Sequence, residues 1–436
     1  MLRCIKYDID CAQVTFFKRF KGMDSFFNLK TPEEVYKIIE QFGPSGEEPV
    51  SLGAALGRIL SHDIISPEDL PHFARSVVDG YAVRARDTFG ASESLPAFLD
   101  VVGEVQMGQY PAAMVSEGQA VRISTGGMLP EGADGAVMLE HSMSMEGNTI
   151  AVSRPISPLE NVIQPGDDFS KGSTVLKKGH CLQPQDLGVL AGLGESQIPV
   201  YKRPRVAIIS TGDEIVSVDK QPLPGQVRDI NRYTLGAFCR RNGAVPLHIG
   251  LCPDSFETLK TSAEEGLSRA DTVWISGGSS VGTRDITLRV FEALSDFELL
   301  VHGISISPGK PTIIGRSGSQ PVIGLPGHVA SALVVAEVFL TPLLSRLSGR
   351  DLISGVQQPS VDAILARNIE SASGREDYIR VRLIREADEL IAEPIFGKSG
   401  LISTLVEADG LVRVAMNTEG LYKGHRVKVL LTGALR

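Results

Sequence analysis

The chain of 436 residues is predicted to be multidomain, an α/β domain combined with β-rich domains, on three observations. Between 204 and 350, apolar runs alternate with amphipathic segments of helix length, the pattern of a three-layer domain with a mostly parallel sheet. Between 66 and 172, short β-type runs (FLDVV, QAVRIS, DGAVML, NTIAVS) are separated by Gly, Pro and Asn turns. Residues 353–436 contain DYIRVRLIR and RVKVLLT, whose alternation marks half-buried antiparallel strands and predicts a small barrel or sandwich.

The elements follow in chain order. Residues 1–22 match no neighbouring pattern and are consistent with a translation start at Met23. TPEEVYKIIEQF (31–42) is a helix, with Thr31 and Glu34 at capping-box spacing. RPRVAIIS (203–210) opens the α/β segment as a strand and empties into STGDE. NRYTLGAFCRRNG (231–243) is a helix with Asn and Gly in cap positions. AVPLHIGL (244–251) is a strand, and DSFETLKTSAEEGLSRA (254–270) sets Phe256, Leu259, Ala263 and Leu267 on one helical face. DTVWIS is the third strand, followed by the turn SGGSSVG and the helix TRDITLRVFEAL.

Composition narrows the function. No Lys/Arg cluster is large enough for a nucleic-acid footprint, and the net charge is −9. VASALVVAEVFL (329–340) carries a glutamate and falls short of a bilayer span. The N-terminus shows no signal-peptide pattern. Five scattered cysteines without a CxxC predict a cytoplasmic chain with reduced thiols. The histidines show no metal-ligand spacing, so zinc chemistry and a Ser-His-Asp triad are not supported.

In open α/β sheets, ligands bind beyond the carboxyl ends of the strands. STGDE, GLCPD and SGGSSVG all fall there. SGGSSVG reads either as a cradle of backbone amides for a phosphate or as a plain turn, and it is neither a P-loop nor GxGxxG. Glu214, Asp254 and Asp285 could surround one crevice, where Mg²⁺ would let carboxylates sit beside phosphate oxygens. Asp254 reads equally as a helix cap, and Asp285 as a first-turn residue favoured by the helix dipole. In PGKP (308–311), Lys310 is either an anion grip held between two prolines or a solvated lysine. Asp79, in VVDGYAV, could be only a turn former, and Ser331, beyond GLPG, could simply face the helix surface.

In family order and spacing, the motifs are PxFxRSxxDGYAV (71–83), RISTGxxLPEGAD (122–134), GDDF (166–169), STGDE (210–214), GQVRDINR (225–232), SGGSSVGxxD (276–285), PGKP (308–311), GLPG (324–327) and SGLISTLxxADGLV (399–412). Together they resemble the molybdopterin molybdenumtransferases of the MoeA type, which include gephyrin E domains. The resemblance implies Mg²⁺-dependent insertion of molybdate into adenylylated molybdopterin, with release of AMP. It implies an α/β molybdopterin-binding domain (27–46 and 204–352) and a linking domain (47–65 and 173–203). It also implies an inserted β-rich domain (66–172), a C-terminal β-barrel (353–436) and an N-terminal extension (1–26). A homodimer with the site at its interface is implied, with the pathway's adenylyltransferase and acceptor molybdoenzymes as further partners.

Carried over by motif, the working residues are Asp79, Thr125, Asp168, Glu214, Asp254 and Asp285, the last two as metal ligands. Pterin and oxyanion contacts fall on Ser210, Thr211, Gly212, Ser276, Gly277, Gly278 and Ser279, and on Lys310, Pro311, Pro326, Ser331, Arg375 and Ser403. The chain departs from bacterial relatives by having Gly303 and Ser307 where they carry lysines. It has Ile163, Gln164 and Pro165 in place of arginines, and His328-Val329 in place of Asn-Pro. Substitution by Arg75 or Arg228, tungstate in place of molybdate, and a paralogue with altered affinity remain open. So do a non-catalytic pterin-binding scaffold and the related adenylyltransferase.

Overall fold

The computed structural model describes residues 29–277, 281–350 and 359–433, with residues 281–285 as backbone only. The extension at 1–26, the turn residues Gly278 and Ser279 and the side chain of Asp285 therefore lie outside the described residues. The chain divides into two compact units. One comprises Pro49–Leu56 and Leu60–Pro199; the other holds the segments before Pro49, Gly57–Ile59 and everything from Val200 onward.

The α/β part opens with helix α1 (Pro32–Ile39). Its capping box forms as expected: the Glu34 amide donates to the Thr31 hydroxyl, and the Thr31 amide donates to Glu34 Oε2 at 2.8 Å.

The first unit is built on a sheet of β1 (Gly80–Val83), β2 (Ala97–Glu104), β3 (Gln119–Ile123), β4 (Gly135–Met138), β5 (Ser142–Ser144) and β6 (Thr149–Val152). Their order across the sheet is β4-β1-β3-β2-β6-β5, with β2 and β3 parallel and the other pairs antiparallel. β1 is buried along its whole length. Tyr81 and Val83 join a core with Leu99, Val137 and Ile150, while Ala82 joins another with Val121 and Ile123. Helix α2 (Pro184–Gly192) belongs to the same unit.

In the second unit, strands β7 (Arg205–Thr211), β8 (Val245–Cys252) and β9 (Thr272–Gly277) alternate with helices α3 (Asn231–Arg241) and α4 (Phe256–Arg269), and α5 (Val281–Glu292) follows β9. β10 (Phe297–His302), β11 (Ile306–Ser307), β12 (Ile313–Ser317) and β13 (Gln320–Leu325) come next. The sheet runs β8-β7-β9-β13-β12-β10, parallel through its first four strands and antiparallel thereafter. Side-chain alternation along β7 makes the three layers: Val206 and Ile208 pack with Leu235 and Phe238 of α3, and Ala207 and Ile209 with Leu259 and Ala263 of α4. Because β8 and β9 flank β7 on opposite sides, the connections diverge at the carboxyl ends of β7 and β9, where such sheets open a crevice.

After β13 the chain forms α6 (Val329–Val335), a π-turn (Ala336–Leu340) and α7 (Thr341–Leu347). This corrects the expectation of a segment too short to span a bilayer: the helix of 19 residues is long and apolar enough. Its apolar side chains nevertheless pack into the α/β core, with Val335, Phe339, Leu343 and Leu347 all buried beside α1 and β7.

The C-terminal part is a closed five-strand barrel. Strands β14 (Ser360–Leu365), β15 (Glu376–Glu386), β16 (Glu389–Pro394), β17 (Gly410–Val414) and β18 (Arg426–Leu431) pair around the ring β15-β16-β14-β18-β17, and β17 returns to β15. Helix α8 (Ser403–Val406) lies between β16 and β17. The two-residue strand β11 pairs with the start of β15, Ser307 opposite Asp377, so the PGKP turn is fastened to the barrel.

Candidate functional site

A cleft of about 860 Å³ opens between the α/β sheet edge and the barrel. Its lining includes Gly277 at the end of β9, Lys310 and Pro311 of the PGKP turn, Pro326, Ser331 of α6, and Arg375 before β15. Six predicted contacts thus meet in one cavity. Among the described residues, the charged side chains of the lining are Lys310 and Arg375, and none is a carboxylate. Hydroxyls of Ser305, Ser307, Ser373 and Ser399 complete an environment suited to an oxyanion.

The turn that carries Lys310 is fixed from below. Its carbonyl accepts the amides of Ile304 (2.9 Å) and Thr312 (3.0 Å), and the Thr312 hydroxyl donates to Gly309 O at 2.7 Å. Gly309 has φ +119°, and a Cβ there would stand 2.6 Å from Val335 Cγ2 and 2.8 Å from Ile306 Cδ1. Only glycine lets this turn settle against α6. Arg375 is held by Asp377, its Nε 3.1 Å from Oδ1, and Asp377 also accepts the Ser371 hydroxyl at 2.6 Å.

One strand away lies an acidic group. Thr211, the last residue of β7, is paired with Gly277, and its hydroxyl donates to Asp254 Oδ1 at 2.7 Å. The Asp254 amide in turn donates to Asp213 Oδ1 at 3.1 Å. Burial raises the pKa of Asp254 above the usual carboxylate value, and the Asp213 and Glu214 charges raise it further against the Thr211 hydrogen bond. Among the described residues no group of three metal-ligating side chains is assembled here, so Asp254 stands as one carboxylate with acidic neighbours.

The expected capping role of Asp254 is not what the structure shows. The N-cap of α4 is Ser255, and Asp254 faces Thr211 instead. Asn231 is a similar correction: Asp229 accepts the Arg232 amide at the start of α3. The Asn231 side chain crosses to Ser276 Oγ (2.7 Å) and Gly327 O (2.8 Å), tying the ends of β9 and β13 together. Asn231 Oδ1 and the Ser210 hydroxyl are buried there without partners, two polar atoms that a bound ligand could satisfy. Asn231 was missed as a site residue because an Asn opening a helix reads as a cap.

Glu214 is exposed beside Gly212, whose φ is +151° and whose Cβ would approach Glu214 Oε2 to 2.9 Å. Ser403 is exposed at the start of α8, and the cleft takes Ser399 from that segment instead. Arg228 is engaged by its own loop, with Nε donating to Val218 O and Lys220 O at 3.1 Å, so it is not a cation of the cleft.

In the other unit, Asp79 and Thr125 meet: Asp79 Oδ1 accepts the Thr125 amide at 2.8 Å and its hydroxyl at 3.2 Å. The Asp168 amide donates to Leu70 O at 3.1 Å, and its side chain is exposed. Arg75 lies on a short strand, Arg75–Ser76, paired with Val162–Ile163.

The chain matches the MoeA N-terminal region (domain I and II) over residues 30–194, a probable molybdopterin binding domain over 207–346 and the MoeA C-terminal region (domain IV) over 362–432. It is 35% identical over 423 residues to a protein of Methanocaldococcus jannaschii named for molybdopterin biosynthesis, covering 94% of this chain and 99% of that one. It is 34% identical over 396 residues to the molybdopterin molybdenumtransferase of Haemophilus influenzae, with 90% and 96% covered. The crystal structure of a molybdopterin biosynthesis MoeA protein from Pyrococcus horikoshii superposes with a TM-score of 0.81 at 36% identity, over 93% of this chain and all of that one.

Proposed function

The chain belongs to the MoeA family of molybdopterin molybdenumtransferases, and on that premise we propose how its residues divide the reaction. It is a transferase of molybdenum cofactor biosynthesis that inserts molybdate. In the proposed reaction the pterin arrives adenylylated, its phosphoanhydride is cleaved with Mg²⁺, and AMP leaves.

The observation that carries the reading is a cleft whose charged lining residues, among those described, are Lys310 and Arg375, one strand from Asp254 and its acidic neighbours. Lys310 and Arg375 bind the tetrahedral oxyanion by charge-assisted hydrogen bonds, and Ser331, with the other lining serines, orients it. Ser210, Thr211, Gly212, Ser276, Gly277 and the following Gly278 and Ser279 receive the pterin phosphates. Asp254 with Asp285 would hold Mg²⁺. When bound, the ion neutralises phosphate charge during cleavage of the anhydride. Thr211 keeps Asp254 in place through its hydroxyl.

Asp79, Thr125 and Asp168 are proposed to serve the site of a second copy in a homodimer. The four-part division by domain, with 66–172 inserted and 47–65 plus 173–203 as linker, belongs to the same proposal. The compartment is proposed to be cytoplasmic, in keeping with buried thiols at Cys239 and Cys252 that form no disulfide.

The test is incubation of the purified protein with adenylylated molybdopterin, Mg²⁺ and either molybdate or tungstate, following AMP and the finished cofactor. AMP release that depends on the oxyanion is expected. Its absence with both metals would leave only a pterin-binding scaffold. In the same assay, Lys310→Ala is expected to raise the molybdate concentration for half-maximal rate by ~10-fold or more, the loss of one charge-assisted contact. An unchanged requirement would place Lys310 outside the oxyanion site.

A further inference from the structure

We propose that a second cavity, enclosed by α3, α6 and the barrel, binds a small apolar monocarboxylate through the guanidinium of Arg380. The proposal does not depend on the molybdate reading, and none of the residues lining this cavity lines the larger cleft.

Alternation along β15 places the cation. Val381 faces the barrel interior, whereas Tyr378 and Arg380 share the opposite face, on which Tyr378 packs into the α/β core. Beside Arg380 the domains leave a space of about 310 Å³, walled by Phe238 of α3, Leu333 and Val334 of α6, Leu405 of α8 and Leu411 of β17. A volume at the lower end for small-molecule sites, apolar walls and a few polar groups are the usual make-up of a ligand pocket. Two further charged lining residues satisfy each other: Arg241 of α3 is paired with Glu337, and its Nη1 donates to Thr432 O just past β18.

Arg380 has no such partner. It is 8% exposed, and its Nη1 and Nη2 donate to Thr404 Oγ1 at 2.8 Å and Gly397 O at 2.9 Å, both neutral groups. The Thr404 hydroxyl is itself used, donating to Leu401 O at 2.7 Å. Arg380 Nε is buried and makes no hydrogen bond. The neighbouring barrel arginines differ: Arg367, Arg375, Arg382 and Arg413 each meet a carboxylate, on Glu393, Asp377, Glu407 and Glu376. Burial depresses the pKa of Arg380, as for a guanidinium with no countercharge, yet arginine stays protonated. A buried cation without a counterion is costly, and one carboxylate oxygen on Nε removes that cost. An inorganic anion would satisfy the charge but not the apolar walls. A carboxylate on an apolar body satisfies both.

Isothermal titration calorimetry of the full chain with phenylpropionate, beside its neutral amide, tests the proposal without turnover. Wild type is expected to bind the acid ~10-fold more tightly than the amide, as for one charge-assisted contact. Ala237→Phe, which adds a ring at an exposed lining position of α3, should bind neither. Arg380→Met should bind acid and amide equally and weakly. Because Arg380 also fastens Gly397 and Thr404, its thermal midpoint is read alongside, and Ala237→Phe decides the matter if Arg380→Met does not fold. Lys310→Ala should bind the acid as wild type does. A wild type that binds no acid, or binds acid and amide equally, would overturn the proposal. So would wild-type binding by Ala237→Phe, and so would loss of the acid in Lys310→Ala, which would place it in the larger cleft.

Discussion

Asp254→Asn is expected to lower turnover by on the order of 10²–10³, the loss of a positioned charge at the reacting phosphates, without loss of stability. The substitution is nearly isosteric, and its Oδ1 still accepts the Thr211 hydroxyl that holds it at 2.7 Å. What disappears is the negative charge. In the folded chain that charge is disfavoured, first by burial and then by Asp213 and Glu214. The sign for stability follows: a carboxyl whose pKa is raised on folding weakens the fold where it is ionised, and the penalty fades as pH falls through the raised value. A neutral Asn removes that penalty at neutral pH, so thermal denaturation should show an unchanged or higher midpoint. The combination distinguishes a metal-holding role from a structural one. Turnover within a few-fold of wild type would show that Asp254 holds no metal. A lowered midpoint would show that the Thr211 contact needs the charge.

The parallel sheet was legible because its central strands are covered on both faces. Trp274 and Ile275 face opposite cores, so the segment reads as an unbroken apolar run. The first helix was legible because Thr31 and Glu34 are local partners. What stayed hidden depends on contacts between distant segments. Asn231 meets Ser276 and Gly327, 45 and 96 residues away. His328 meets Ser399 across 71 residues. Nothing in either neighbourhood announces the other. Asp254 was ambiguous for a different reason, since its spacing suits a helix cap and only the fold sets Thr211 beside it. The barrel was visible as alternation along β15, yet its first residues break the pattern. Glu376 and Asp377 are both buried, because Glu376 is paired with Arg413 and Asp377 receives Arg375 and Ser371.

Gly80→Ala is expected to destabilise the unit built on β1 by ~3–5 kcal/mol, the scale of severe core overpacking and lost strand pairing. A Cβ at this position would lie 1.8 Å from Val137 O and 2.9 Å from its carbonyl carbon. Those atoms belong to β4, which pairs with β1 with Gly80 opposite Met138. The obstruction is backbone within a sheet, so no side-chain rotation relieves it, and either β1 or β4 must leave the ladder. The preceding residue is tied to the same place, for the Leu139 amide donates to Asp79 O at 3.0 Å. Displacing β1 would therefore carry Asp79 away from Thr125, and turnover should fall together with stability. Asp79→Ala separates the two effects, since it removes only the exposed carboxylate that receives the Thr125 amide and hydroxyl. It should cost about 1 kcal/mol or less, as for one exposed hydrogen-bonded side chain, while turnover drops by at least ~10-fold if Asp79 serves the reaction. Urea denaturation read beside AMP release distinguishes the outcomes. Full turnover in Asp79→Ala with instability in Gly80→Ala would make the DGYAV segment purely structural. A Gly80→Ala protein as stable as wild type would mean that β1 and β4 do not approach so closely.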